Sequence, residues 1–245
     1  MPTSDEQATA VAVVASIRGG DLAGLRRLLD EQPAIATGRF RGRTALHVVT
    51  DWPGYYPDGP ATVRLLIAAG ADPNARTEGH APETPLHWAA SSDDVDVADA
   101  LIDGGADVEA AGGSIGTPLD NAVGYGCWHV ARRLVERGAR VDKPWQAAAL
   151  GLMTRVEQLL AAGPEPAQLN EAFWHACRGG QRRVAEYLLR KGADIDATVE
   201  YAHGTPLDVA PGPDTRRDLL TTWLREQGAQ PSRRDTAAGP ESGAA

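Results

Sequence analysis

The chain has 245 residues, 42% of them hydrophobic and 23% charged, the balance of a soluble globular protein. Its net charge is −9 and its pI about 5.1. A phosphate backbone needs a basic footprint, so nucleic acid is not an expected partner. No apolar run approaches the ~18 residues of a membrane span. The start, Met1 to Gln7, lacks the basic segment and apolar stretch of a signal peptide. Cys127 and Cys177 make neither a disulfide framework nor a CxxC pair, which points to a reducing, cytoplasmic setting. Positive charge is almost all Arg, with Lys only at 143 and 191, and this with the wealth of Ala and Gly suggests a GC-rich bacterial source.

Along the chain, residues 1–7 are expected to be disordered. Two helices follow, near Glu6 to Arg18 and Leu22 to Leu29. Then one motif recurs: Thr44-Ala45-Leu46-His47, Thr84-Pro85-Leu86-His87, Thr117-Pro118-Leu119-Asp120 and Thr205-Pro206-Leu207-Asp208. A second motif, paired aliphatic residues, two polar or small residues and then Gly, closes each unit. It reads Leu66-Ile67 before Gly70, Leu101-Ile102 before Gly105, Leu134-Val135 before Gly138 and Leu188-Leu189 before Gly192. Thr84 to Gly105 and Thr117 to Gly138 are both 21 residues, so the two motifs share a register.

That spacing defines a unit. Thr caps a helix and Pro suits its first turn, where the missing N–H has no partner to lose. A short first helix, near Pro85 to Ser91, leads through a polar turn at Ser92 to Asp94. A second helix places Val97, Leu101 and Ile102 on one face, and Gly105 supplies the left-handed residue that stops it. Two short helices cannot bury their own apolar face, so units must stack. Terminal glycines at 70, 105, 138, 163, 192 and 228 give seven units. In the fifth and sixth, Asp142-Lys143-Pro144-Trp145 and Glu171-Ala172-Phe173-Trp174 occupy the signature's place.

Thr84-Pro85-Leu86-His87-Trp88-Ala89 resembles the ankyrin-repeat signature, and Gly70-Ala71-Asp72-Pro73-Asn74-Ala75 and Gly192-Ala193-Asp194-Ile195-Asp196-Ala197 resemble the family's link into its hairpin finger. The resemblance covers residues 8–230 and implies an all-α ankyrin-repeat solenoid with short hairpin fingers. The tail Pro231 to Ala245 is expected to be disordered. The implied function is binding a protein partner, as a monomer, with no cofactor, metal or catalytic residue.

Two departures stand out. Fingers span 12 to 14 residues elsewhere, but only 4 from Gly138 to Asp142 and 8 from Gly163 to Glu171, which predicts a gap in their row. In the second unit, Thr44 to Gly70 is 26 residues. The extra length lies in Asp51 to Pro60, a loop broken by Pro and Gly that carries Trp52, Tyr55 and Tyr56. These aromatics either cover the end of the stack or anchor a partner.

Inside the signature, His47 and His87 are expected to bond the neighbouring unit's backbone, with Asp120 and Asp208 in the same place. No His spacing suits a metal and there is no HExxH, P-loop or GxSxG. Cys177 is expected to pack inertly, and Cys127, at a helix–helix turn, to be exposed. In this family the finger tips and the exposed end of the first helix line a concave groove. That selects Phe40, Arg41, Arg43, Asp51, Trp52, His80, Glu83, Ser91, Ser92, Tyr125, Arg178, Tyr201 and His203, to which the loop adds Tyr55 and Tyr56. The alternative is an enzyme or small-molecule site in a recess left by the short fingers of units five and six, near Trp145, Phe173, Trp174 and His175, unless these residues repair packing where the signature is lost.

Overall fold

The computed structural model describes residues 4–232. The tail expected to be disordered lies outside them except for Pro231 and Ser232. The first helix opens at Ser4, within the segment expected to lack structure. The chain divides into two compact units, residues 1–141 and 142–245.

The first unit holds four helix pairs: α1 (Ser4–Gly19) with α2 (Leu22–Glu31), α3 (Ala45–Val49) with α4 (Gly59–Ala68), α5 (Pro85–Ser91) with α6 (Val95–Asp103), and α7 (Pro118–Tyr125) with α8 (Trp128–Glu136). First helices pack on first helices, α1 on α3 on α5 on α7, and second helices pack likewise from α2 to α8. The apolar positions of each pair meet between these two layers. Leu25, Leu46, Val63, Leu66, Leu86, Leu101, Leu119 and Leu134 are fully buried, each contributing roughly 1.5–3 kcal/mol. Ile102, expected beside Leu101 in the core, is half-buried.

The second unit holds three pairs: α9 (Pro144–Leu150) with α10 (Met153–Leu159), α11 (Pro166–Arg178) with α12 (Arg182–Arg190), and α13 (Pro206–Val209) with α14 (Thr215–Glu226). Within this unit first helices again pack on first helices, α9 on α11 on α13, and second on second, α10 on α12. Seven pairs therefore match the seven predicted units. All six terminal glycines are left-handed, with φ from 83° at Gly163 to 100° at Gly70, a region closed to most side chains.

The signature is a reciprocal cap. In the second pair, Thr44 N–H donates to His47 Nδ1 at 3.2 Å. The other ring nitrogen, Nε2, donates to the carbonyl of Glu83 at 3.0 Å, tying this pair to the next. His87 repeats the arrangement, with Nε2 on the Gly116 carbonyl at 3.1 Å. At Asp120 and Asp208 a carboxylate oxygen takes the Thr N–H and hydroxyl instead. One residue of register changes in the fifth pair: Gln146 Oε1 accepts the Lys143 N–H at 3.0 Å. The motif's place is therefore Lys143-Pro144-Trp145-Gln146, not Asp142 to Trp145.

Among the described residues the only strands are Arg39–Phe40 and Arg43–Thr44, an antiparallel pair. The next two fingers close by single turns, Thr77 N–H to Glu83 O and Gly113 N–H to Gly116 O, both 2.9 Å. Residues 139–143 contain neither helix nor strand, and past Gly163 the chain enters α11 at once. The insertion is shorter than expected. Gly59 and Pro60 form the first turn of α4, which leaves residues 51–58 as the loop.

Candidate binding site

On the finger side of the first unit, the ends of α3, α5 and α7 surround an open recess of about 540 Å³. It is lined by Thr50, Asp51, Trp52, Glu83, Trp88, Ser91, Ser92 and Tyr125. Trp52 is 79% exposed and Tyr125 55% exposed, so two large rings stand in water at its rim. The half-buried Trp88 meets His47 edge-on at 5.2 Å, and the Arg43 guanidinium lies 5.8 Å from its ring centre.

Both carboxylates are fixed from below. Asp51 pairs with Arg18 and Arg43, each at 3.0 Å. Glu83 Oε1 accepts from the Ser114 N–H and hydroxyl at 3.0 and 2.7 Å and from the Asn121 amide at 2.8 Å. Burial works to raise the Glu83 pKa, but the bonds from Asn121 and Ser114 outweigh it and hold the carboxyl below its ordinary range. Glu83 is therefore an ordered anion at neutral pH, held by groups from the following finger and helix.

The structure divides the residues selected from sequence. Asp51, Trp52, Glu83 and Tyr125 come together with Ser91 and Ser92, and Arg43 borders them through Trp88. Phe40 and Arg41 sit at the β-turn and His80 on the next finger, outside the recess. The aromatic trio splits. Tyr55 donates its hydroxyl to the Asp93 carbonyl and its N–H to Asp94 Oδ2 at 2.8 Å, which pins it to the α5–α6 turn. Tyr56 lies beneath the Arg18 guanidinium at 5.8 Å. Arg178, Tyr201 and His203 belong to the second unit. Trp88 was missed, although it is the aromatic residue beside the signature His, where the other intact signatures carry Val48, Asn121 and Val209.

Of the residues named for the alternative recess, Phe173, Trp174 and His175 are at most 2% exposed and pack in the interior, and Trp145 is half-buried. Trp174 occupies the signature His position and donates its indole N–H to the Gly204 carbonyl at 3.0 Å. His175 is held down to about 3, by burial first and then by Arg178, so it stays neutral. Its Nε2 meets the Tyr201 hydroxyl at 2.9 Å, and that hydroxyl donates to Glu171 Oε1 at 2.7 Å. Cys127, expected to be exposed, is buried. So is Cys177, whose thiol burial pushes far above its ordinary range, so it is not poised as a nucleophile. Among the described residues no His, Cys, Asp and Glu group could hold a metal ion, and no helix is long and apolar enough to cross a membrane.

Stacked helix pairs tied by His-to-backbone bonds define a helical repeat protein. The model for ankyrin repeats in three copies matches residues 55–144, and the single-repeat model matches 168–197. The human ankyrin repeat and SOCS box protein 16 is 30% identical over 260 aligned positions, covering 94% of this chain and 54% of its own length. The chain thus spans about half of that relative. The human ASB11 ankyrin repeat domain superposes with a TM-score of 0.54 at 20% identity, over 86% of this chain and 96% of that one. The ankyrin repeat domain of Bcl-3 gives 0.49 at 26% identity, over 87% and 97%. The chain carries ankyrin repeats and folds as an all-α ankyrin-repeat solenoid. Ankyrin-repeat domains are generally protein–protein interaction modules.

Proposed function

We propose that the chain binds a polypeptide segment in the recess of its first unit, with Trp52 and Tyr125 as the anchoring side chains. The observation that carries this reading is the exposure of two large rings, 79% and 55%, in the lining of one recess. Exposed Trp and Tyr offer large, stiff contact area at small entropic cost and dominate binding hot spots. In the same lining, Glu83 is held as an anion on fixed partners. Aromatic rings together with a carboxylate suit a basic side chain of the bound segment. Because the layers of stacked helices hold these groups, little ordering is needed on binding.

The test is capture by the full chain from a lysate of its source cells, compared with a W52A/Y125A variant. Both side chains are exposed, so the variant keeps the wild-type melting temperature. Proteins enriched by the wild type should be lost from the variant. Equal enrichment by both would remove this recess as the binding site.

A further inference from the structure

The second unit carries another recess, of about 460 Å³, on the edge where first helices turn into second helices. It is away from the fingers and from Trp174 and His175. Gly151 and Gly180, the turn residues between α9 and α10 and between α11 and α12, form part of its wall. Arg182 and Arg183 enter from the first turn of α12, and Arg216 and Leu219 from α14.

Its chemistry is unlike the rest of the chain. The net charge is −9, yet three guanidinium groups line this recess and no carboxylate does. Arg183 forms no ion pair among the described residues, and Arg216 has only a long contact, 3.7 Å, to Asp214. Arg182 is more tightly held, by Glu186 at 2.8 Å and over the Trp223 ring at 5.9 Å. Beside these cations are apolar groups in water. Leu219 is 54% exposed and Leu152, next to the lining residue Met153, is 36% exposed. The start of α12 is also uncapped by its own side chain. Gln181 donates its amide to the Gly179 carbonyl at 2.9 Å and accepts nothing from the helix, whereas α6 and α14 are capped by Asp94 and Asp214.

We infer that this recess docks an acidic peptide, whose carboxylates pair with Arg183 and Arg216 while an adjacent large apolar side chain covers Leu219 and Met153. Guanidinium forks match carboxylates, and Arg183 is left without a carboxylate of its own while Glu186 and Asp214 already contact Arg182 and Arg216. The apolar floor separates this ligand from nucleic acid. A phosphate backbone needs a basic track and stacking platforms, and no aromatic residue lines this recess. The proposal is independent of the first-unit site.

The experiment is fluorescence anisotropy of the full chain with a labelled peptide of repeated Glu-Glu-Leu triplets. Polyglutamate of equal length and single-stranded oligothymidylate are the comparison probes. The Glu-Glu-Leu peptide should bind most tightly. R183E/R216E should weaken it by roughly tenfold or more, L219A by severalfold, and W52A not at all. Should charge reversal lower the melting temperature, R183Q/R216Q carries the same test with less perturbation. Failure of the Glu-Glu-Leu peptide to bind, equal binding of polyglutamate, tighter binding of the oligonucleotide, or an unchanged Kd in the arginine variants would each overturn the assignment.

Discussion

The Trp174 indole donates to the Gly204 carbonyl at 3.0 Å, the same bond from first helix to next repeat that His87 Nε2 makes to Gly116 at 3.1 Å. A Trp therefore does the work of the signature His while filling the space around it. Phe at 174 keeps most of the volume but leaves Gly204 without its donor, a loss of about 1–3 kcal/mol. Ala at 174 also opens a cavity and should cost about 3–5 kcal/mol. Urea titration followed by near-ultraviolet circular dichroism would rank them. W174F as destabilising as W174A would mean that the bond, not the volume, dominates.

Asp93 caps a helix that is not its own. Its carboxylate accepts the His129 and Val130 N–H groups at 3.0 and 2.9 Å, at the start of α8, where the N-cap residue Cys127 makes no side-chain capping bond. Asp93 also has φ of 57°, which Asn tolerates and Ala resists. D93A should lose about 2 kcal/mol, the sum of a cap and a strained backbone. D93N should lose clearly less. Equal losses in thermal melts would show that backbone strain plays no part.

Three buried histidines, His47, His87 and His175, each with a pKa lowered by burial first, make stability depend on pH. Burial foremost holds His47 down to about 4, aided by Arg39 and Arg43, and His175 down to about 3. The ordinary value is 6.5, so below it the unfolded chain binds protons that the folded chain refuses. Stability is full above about pH 6.5 and falls as pH drops toward 4, by on the order of 1 kcal/mol per pH unit for each histidine. Urea midpoints should fall between pH 7 and pH 5. H175F, which cannot titrate, should flatten that dependence, and a slope unchanged in H175F would contradict the assignment.

Much of the fold was legible because the signature is a set of bonds as well as a string. Thr and Pro start the first helix, the fourth residue caps it, and the terminal Gly stops the second. Where the string changes, the reading slips: Gln146 caps as His does, but without the letters, and the register moved by one residue. Of the candidate site, Asp51, Trp52, Glu83 and Tyr125 were readable from their place in the repeat. Glu83's partners Ser114 and Asn121 were not, since they come from the next finger and helix. Tyr55 was read as a possible anchor because a loop of unknown path left its partners, Asp93 and Asp94, unknown. The arginine recess was missed because its residues lie about a repeat apart. Its signals were the doublets Arg182-Arg183 and Arg216-Arg217, each just after a turn.

The most direct measurement of the central reading is photocrosslinking from the recess. A benzophenone amino acid placed at position 52 of the full chain should form a covalent adduct with a polypeptide partner in a lysate of the source cells. Excess unmodified chain should compete it away and excess Y125A should not. The same group at Val11, 70% exposed on α1, serves as the surface control. No adduct from position 52, or the same adducts from position 11, would contradict binding in the recess between Trp52 and Tyr125.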